Sequence, residues 1–244
     1  MNEVFEMLLS HRSIRKFKSK PIPEETIKWI ISTAQYASTS DHMQSYSIIR
    51  IVDPSLKSRL MELSGNQSSV TTSALFLVFC TDLFRLKLAT QLHGVNVRFD
   101  TADLLIAGTV DVALAAQNVF TAAESIGLGG VYIGGIRNHI SEVSQTLNLP
   151  PLTYPVFGMC LGVPDEVPPQ KPRLPMDLVF NIDTYPKSDK QLTEAYDEQI
   201  RVYYEQRESV VLGWAEKIGT TLHQGSQRRA GVGEFLIRQG FGLN

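Results

Sequence analysis

The sequence contains little cysteine and no paired cysteine motif. Its 244 residues include two cysteines, Cys80 and Cys160, and each lies in an apolar run. A disulfide framework needs more cysteines, and a reactive thiol usually has a Cys-x-x-Cys partner or a neighbouring histidine. We therefore predict that both thiols are buried and structural.

Long apolar runs and a strong net charge are also missing. No stretch reaches the roughly 18 apolar residues that a membrane-spanning helix needs. The first residues lack the cationic and apolar segments of a secretion signal. Because the net charge is -2, the chain has no bulk attraction for nucleic acid or an anionic membrane. These absences predict a cytoplasmic protein without nucleic-acid or membrane partners, in which any basic site is local.

Motifs for several kinds of catalytic site are absent as well. The five histidines have no H-x-x-x-H spacing, so we predict no metal site. No G-x-S-x-G motif of a serine hydrolase occurs. After Gly127 the dinucleotide fingerprint G-x-G-x-x-G requires glycine where Tyr132 stands, which argues against a Rossmann-type site.

Two small basic clusters are present in this weakly acidic chain. The first is His11-Arg12-Ser13-Ile14-Arg15, at the end of a predicted helix over residues 3–12, and the second is Lys171-Pro172-Arg173. Guanidinium groups and hydroxyls bind phosphate through charge-assisted hydrogen bonds. Either cluster alone is compatible with a solvated surface, but together they favour one shared phosphate.

A glycine pair and an apolar helix complete the pattern. Gly134-Gly135 follows a predicted strand and is either a tight turn or a place where backbone approaches a flat ligand closely. Residues 101–126 are predicted to be helical and are apolar or small on nearly every side. Such a helix should be buried in the core or in a subunit interface. Its carboxylates, Asp103, Asp111 and Glu124, are interpreted as paired and structural.

These motifs, in this order, resemble the nitroreductase superfamily, most closely its NADPH-dependent nitroreductase and flavin reductase branch. The resemblance runs from residue 11 to about residue 214. It rests on residues 11–15, 38–40 with Gln44, 65–67, 115–118, 122–125, 129–137 and 171–175. It implies an α+β fold with a central, mostly antiparallel sheet flanked by helices, in an intertwined homodimer. Residues 1–244 would form one domain with a helical C-terminal excursion at about 185–244.

The resemblance also implies a tightly but non-covalently bound FMN at each of two interface sites. The residues that would form this site are His11, Arg12, Ser13, Arg15, Ser38, Ser40, Gln44, Gln67, Ile133, Gly134, Gly135, Lys171 and Arg173. Ser38, Ser40 and Gln44 are expected from the partner subunit. A contact of Asp103, Asp111 or Glu124 with the flavin stays open.

Within that set the resemblance divides the roles. His11, Ser13, Lys171 and Arg173 would hold the phosphate. Arg15, at the pyrimidine edge, and Gly134, donating its N–H to flavin N5, would be the catalytic positions. The implied reaction is a ping-pong reduction, with hydride from NAD(P)H and then transfer to a nitroaromatic, a quinone or a free flavin. The alternatives are a non-catalytic flavin-binding or redox-sensing dimer and another flavin enzyme on the same fold.

The chain departs from this branch after its tyrosine-rich helix. Relatives there carry an arginine and a basic, glycine-containing loop that grips the 2′-phosphate of NADPH. Here Arg207 persists, with Glu208 beside it, but the loop that follows is short and apolar. Arg228 and Arg229 are candidates to replace the missing cations. We therefore expect a weakened preference for NADPH over NADH.

Overall fold

The computed structural model describes residues 2–185, 190–208 and 210–242. The side chain of Glu208 lies outside the described residues. Its expected position beside Arg207 therefore stays a prediction. The chain forms two compact units, Met1–Pro168 with Arg229–Asn244, and Pro169–Arg228. The expectation of one domain over residues 1–244 stays a prediction.

The first unit is built on a four-stranded antiparallel sheet with the strand order β1-β2-β4-β3. The strands are β1 (Tyr46–Ile51), β2 (Leu75–Asp82), β3 (Gly129–Ile133) and β4 (Thr153–Gly162). β2 lies in the middle of the sheet and is buried along its whole length, because its sequence, Leu-Phe-Leu-Val-Phe-Cys, is apolar on both faces. The expected antiparallel α+β class is confirmed.

Helices cover the sheet and make up most of the second unit. They are α1 (Glu3–Leu9), α2 (Glu24–Ala34), α3 (Pro54–Leu63), α4 (Ser69–Thr72), α5 (Phe84–Gln91), α6 (Ala102–Ser125), α7 (Ile140–Thr146), α8 (Met176–Val179), α9 (Lys190–Glu208), α10 (Trp214–Arg228) and α11 (Val232–Arg238). Helices α8, α9 and α10 belong to the second unit, whose buried residues are Tyr196, Ile200 and Tyr204.

Helix α6 has two different faces. One face packs against α2 and the sheet and buries small residues such as Ala115 and Ala116. The other face exposes Ile106, Val110 and Leu114 at 62%, 49% and 42%. Their spacing of four residues places these side chains on one stripe. By length and composition alone α6 would also be able to cross a membrane, and its packing on α2 and the sheet accounts for the apolar residues of its buried face only.

Asp111 of α6 organises the loop that precedes β1. The carboxylate is 1% exposed. It accepts hydrogen bonds from the N–H of Ser40 (2.9 Å), the N–H of Ser45 (3.2 Å) and the hydroxyl of Ser45 (2.6 Å). Asp111 is thus a structural carboxylate, as predicted. Asp103, in contrast, is exposed in the first turn of the same helix.

We predict that Asp111→Ala destabilises the protein by about 3 kcal/mol, because buried donors lose their acceptor. Urea unfolding followed by circular dichroism measures this free energy. Asp103→Ala is the matched control and should cost less than about 1 kcal/mol. Equal losses for the two variants would contradict the role given to Asp111.

Candidate active site

The basic segment of residues 11–15 is not helical, and one backbone hydrogen bond joins it to β3. The prediction of a helix over residues 3–12 is wrong at the C-terminal end, because α1 stops at Leu9. The backbone N–H of Ile14 donates to the carbonyl of Gly130 (2.8 Å), and the Ile14 side chain is buried. A Cβ on Gly129 would lie 2.6 Å from the Ile14 side chain, so glycine makes room for this packing. This pairing to a distant strand prevents another helical turn.

Two glutamates hold the basic segment in place. Glu124, near the end of α6, lies 2.8 Å from His11, measured from Oε1 to Nδ1, and the histidine ring packs edge-on against Phe120. Glu166 accepts the backbone N–H groups of Arg15 (2.7 Å) and Lys16 (3.1 Å). Glu124 is therefore a partner of His11. The sequence did not predict the role of Glu166, because no local pattern marks a glutamate that binds a segment 150 residues away.

The two arginines of the segment differ in their surroundings. Arg12 donates to the carbonyls of Ser10 and Pro168, both at 3.2 Å, so it ties two stretches of backbone together. The Arg15 side chain is exposed. Among the ion pairs of the described residues, none involves the Arg15 guanidinium, since Glu166 binds only its backbone. Arg15 is thus available to an incoming ligand.

The glycine turn lies at the other end of β3. Ile133 is fully buried, and Gly134–Arg137 form a short 3-10 helix. Arg229 donates to the Gly134 carbonyl (3.2 Å) and to Asn138 Oδ1 (3.1 Å). Arg137 donates to the carbonyl of Val156. Burial, together with the neighbouring Arg229 charge, lowers the pKa of Arg137.

Gly134 and Gly135 have different surroundings. A Cβ on Gly135 would collide with the carbonyl oxygen of Ser64 and lie 2.6 Å from Gln67 Nε2, so packing requires glycine there. A Cβ on Gly134 would make only ordinary contacts, 3.6 Å from Arg137 and 3.8 Å from Arg229. Nothing described in the chain requires glycine at position 134. Gly134 is half-buried, and Gln67 lies beside the same turn.

The loop before β1 contains the other predicted site residues. The side chains of Ser38, Ser40 and Gln44 are exposed. Asp41, His42 and Gln44 have φ angles of 45°, 58° and 53°, in the left-handed region. Such strain persists where surrounding contacts enforce it, and it is frequent at functional sites. Asp111 provides this enforcement, but a role of the loop in a partner's site stays a prediction.

The second unit fixes the backbone of the other basic cluster. The hydroxyl of Tyr196 donates to the carbonyl of Pro172 (3.1 Å), and the hydroxyl of Tyr203 donates to that of Pro169 (3.3 Å). Lys171 and Arg173 are exposed on this anchored segment. The meeting of both basic clusters on one phosphate stays a prediction.

The three arginines proposed for the nucleotide phosphate have different contacts. Arg207 donates to the Tyr203 hydroxyl at 2.8 Å, and its guanidinium carbon lies 5.8 Å from the centre of that ring. Arg228 is exposed and donates to Gln224 within its own helix. Arg229 belongs to the first unit and contacts the Gly134 turn. Their role in nucleotide binding stays a prediction.

Both cysteines are buried, as predicted. Burial raises the pKa of Cys80 to about 12, and it raises that of Cys160 to about 12 as well. A thiol with such a pKa carries almost no thiolate at neutral pH. Their structural interpretation is therefore confirmed, and the chemistry of the site belongs to other groups.

The helix-flanked antiparallel sheet, with a basic segment bound to one strand and a glycine turn directly after that strand, is an α+β fold with a candidate anion-binding site. The nitroreductase family model matches residues 8–163, and the model of that family's C-terminal domain matches residues 171–244. The chain belongs to the nitroreductase family.

Similar proteins extend over the whole chain. The oxygen-insensitive NADPH nitroreductase of Salmonella typhimurium is 41% identical, with 99% of each chain covered. The FMN reductase (NADPH) of Bacillus subtilis is 36% identical, with 100% of each covered. Among solved structures, the NADPH:FMN oxidoreductase from Vibrio harveyi complexed with NAD+ has a TM-score of 0.91 and 37% identity, with 100% of each chain covered.

We predict opposite effects of alanine at the two glycines of the turn. Gly135→Ala should lose about 3 kcal/mol of stability through collision with the Ser64 backbone. Gly134→Ala should change stability by less than about 0.5 kcal/mol but weaken FMN binding about tenfold or more, equal to about 1.4 kcal/mol. Thermal unfolding and fluorescence titration with FMN measure the two effects. Unchanged FMN affinity in Gly134→Ala would contradict a ligand at this surface.

Proposed function

We propose that the chain is an FMN-dependent NAD(P)H oxidoreductase of the nitroreductase and FMN reductase type. The observation that carries this function is the glycine turn that begins at Gly134, directly after the strand that binds the basic segment of residues 11–15. Relatives at 36–42% identity are named NADPH nitroreductase, FMN reductase and NADPH-flavin oxidoreductase, which supports the same activity.

The residues present fit a flavin mononucleotide. A flat ring needs backbone without a side chain in the way, which Gly134 provides beside buried Ile133 and packed Gly135. A phosphate needs cations and hydroxyls, which His11, Ser13, Lys171 and Arg173 provide in the proposed set. Bound FMN supplies a carrier that accepts two electrons with a proton and passes them on. We expect its binding to be tight and non-covalent.

The residues around the ring have electrostatic and positioning roles. Arg15 would supply a guanidinium for negative charge that develops at the pyrimidine edge, and such a charge is a large catalytic term when it is preorganised. Gly134 would offer its backbone N–H to N5. Glu166 fixes the backbone of Arg15 by accepting its N–H. No side-chain general acid is needed in this proposal.

A homodimer would complete the site. The stripe of Ile106, Val110 and Leu114 on α6 is exposed, and so are Phe5 and Leu9 of α1. Contiguous apolar surface of this kind marks a protein interface. We infer that a second copy of the chain covers it and contributes Ser38, Ser40 and Gln44, and that the enzyme works in the cytoplasm on planar oxidants.

Anaerobic reduction tests the function directly. The purified protein, reconstituted with FMN, should be yellow and should lose its absorbance near 450 nm when NAD(P)H is added without oxygen. A nitroaromatic, a quinone or free FMN should then restore the colour in a ping-pong pattern. Yellow protein that NAD(P)H does not bleach would favour a binding or sensing dimer, and protein that binds no FMN would refute both.

The nicotinamide nucleotide preference gives a second prediction. Since the loop after Arg207 lacks the cations of the branch, NADH should also be an effective donor. We expect the ratio of kcat/KM for NADPH over NADH to lie below about a hundredfold, equal to about 2.7 kcal/mol. Steady-state assays with a fixed acceptor measure this ratio. A larger ratio would mean that other cations grip the 2′-phosphate.

Replacing Arg15 should change the rate of hydride transfer more than the affinity for FMN. We predict that Arg15→Ala slows hydride transfer by about a hundredfold or more, because one preorganised charge is lost at the reacting ring. Phosphate anchoring should persist, so FMN affinity changes little. Stopped-flow reduction and FMN titration separate these effects. Lys16→Ala, the exposed neighbour, is the control, and an unchanged reduction rate in Arg15→Ala would refute the role.

A further inference from the structure

Two lysines of the second unit converge on one buried tyrosine. Tyr204 of α9 is 2% exposed. The ammonium group of Lys217, on α10, lies 3.7 Å from the centre of its ring, and that of Lys171 lies 5.0 Å from it. The resemblance to nitroreductases assigned a role to Lys171 but none to Lys217.

The surroundings of this pair are strongly positive. Burial alone would raise the pKa of Tyr204, but the two ammonium groups more than offset it, so the pKa lies below its usual range. In the described part of the chain no carboxylate forms an ion pair with either lysine. Two ammonium groups near one ring, neither of them in an ion pair among the described residues, favour binding of an anion.

The position of Lys217 is fixed by neighbouring contacts. Asp197 of α9 accepts the backbone N–H of Ala215 (2.5 Å), which caps the start of α10. Trp214 packs edge-on against Tyr196 at 5.5 Å between ring centres. Lys217 therefore lies in the first turn of α10, where the helix dipole disfavours a cation. The N-terminal end of α10 does not stabilise the positive charge of the Lys217 ammonium group, so that charge remains available to an anionic ligand.

We propose that Lys171 and Lys217, whose ammonium groups both lie near the Tyr204 ring, bind one phosphate group. Lys217 is then a phosphate ligand in addition to those that the family resemblance supplies. The proposal rests on the proposed function, which gives the ligand its chemical class, a phosphate monoester. Two sources carry this group in the proposed reaction, the 5′-phosphate of FMN and the 2′-phosphate of NADPH.

Phosphate-free counterparts of each ligand distinguish the sources. Lys217→Ala is reconstituted and titrated with FMN and with riboflavin, and KM is measured for NADPH and for NADH. We expect a loss of about tenfold for one phosphate-bearing ligand and less than about twofold for its counterpart. A loss confined to FMN assigns the flavin phosphate. A loss confined to NADPH assigns the nucleotide 2′-phosphate.

Matched variants separate this role from general damage. Lys217→Arg keeps the charge and should restore most of the affinity. Lys190→Ala removes an exposed lysine from α9 of the same unit and should leave all four ligands unchanged. Tyr204→Phe keeps the ring but removes the hydroxyl, and should weaken the same phosphate-bearing ligand as Lys217→Ala.

Two results would overturn the proposal that Lys171 and Lys217 bind one phosphate. One is a Lys217→Ala protein that matches the wild type for FMN and NADPH within twofold. The other is an equal loss for phosphate-bearing and phosphate-free ligands, which would show a merely structural role. A wild-type protein that binds neither FMN nor NAD(P)H would instead refute the proposed function, so the two failures are distinguishable.

Discussion

The pairing of Ile14 with β3 is the contact on which the candidate site depends. The strand is only five residues long, and it holds the basic segment through Gly130 and leads directly into Gly134. Gly129 makes this possible, because any side chain there would displace Ile14. One short strand therefore sets the positions of Arg15 and the glycine turn together, and a shift of its register would move both.

Much of this arrangement follows from the sequence, because its signals are local. The apolar run of β2 and the small residues of α6 each predict their own burial. The end of α1 was wrong by three residues, since backbone pairing with a strand more than 100 residues away decides it. The hydrogen bonds from Arg15 to Glu166 and from Arg229 to the Gly134 carbonyl also join distant parts of the chain, and no spacing in the sequence predicts them.

The two units stabilise their cationic groups by different means. In the first unit, His11 faces Glu124, and Arg12 is bound by backbone carbonyls. In the second unit Arg201 pairs with Glu198, whereas the ammonium groups of Lys171 and Lys217 lie near the ring of Tyr204. Aromatic rings hold a cation in place without neutralising it. Such charges keep their attraction for an anion, which carboxylate partners would cancel.

Helix α6 also sets the separation between two carboxylates that contact different parts of the candidate site. Asp111 fixes the strained loop and Glu124 fixes His11, and the 13 residues between them correspond to about 20 Å along the helix axis. In the proposed homodimer each ring bridges two chains, and cofactor binding is then thermodynamically linked to assembly. Ligand that favours the dimer over separate chains would stabilise it by mass action.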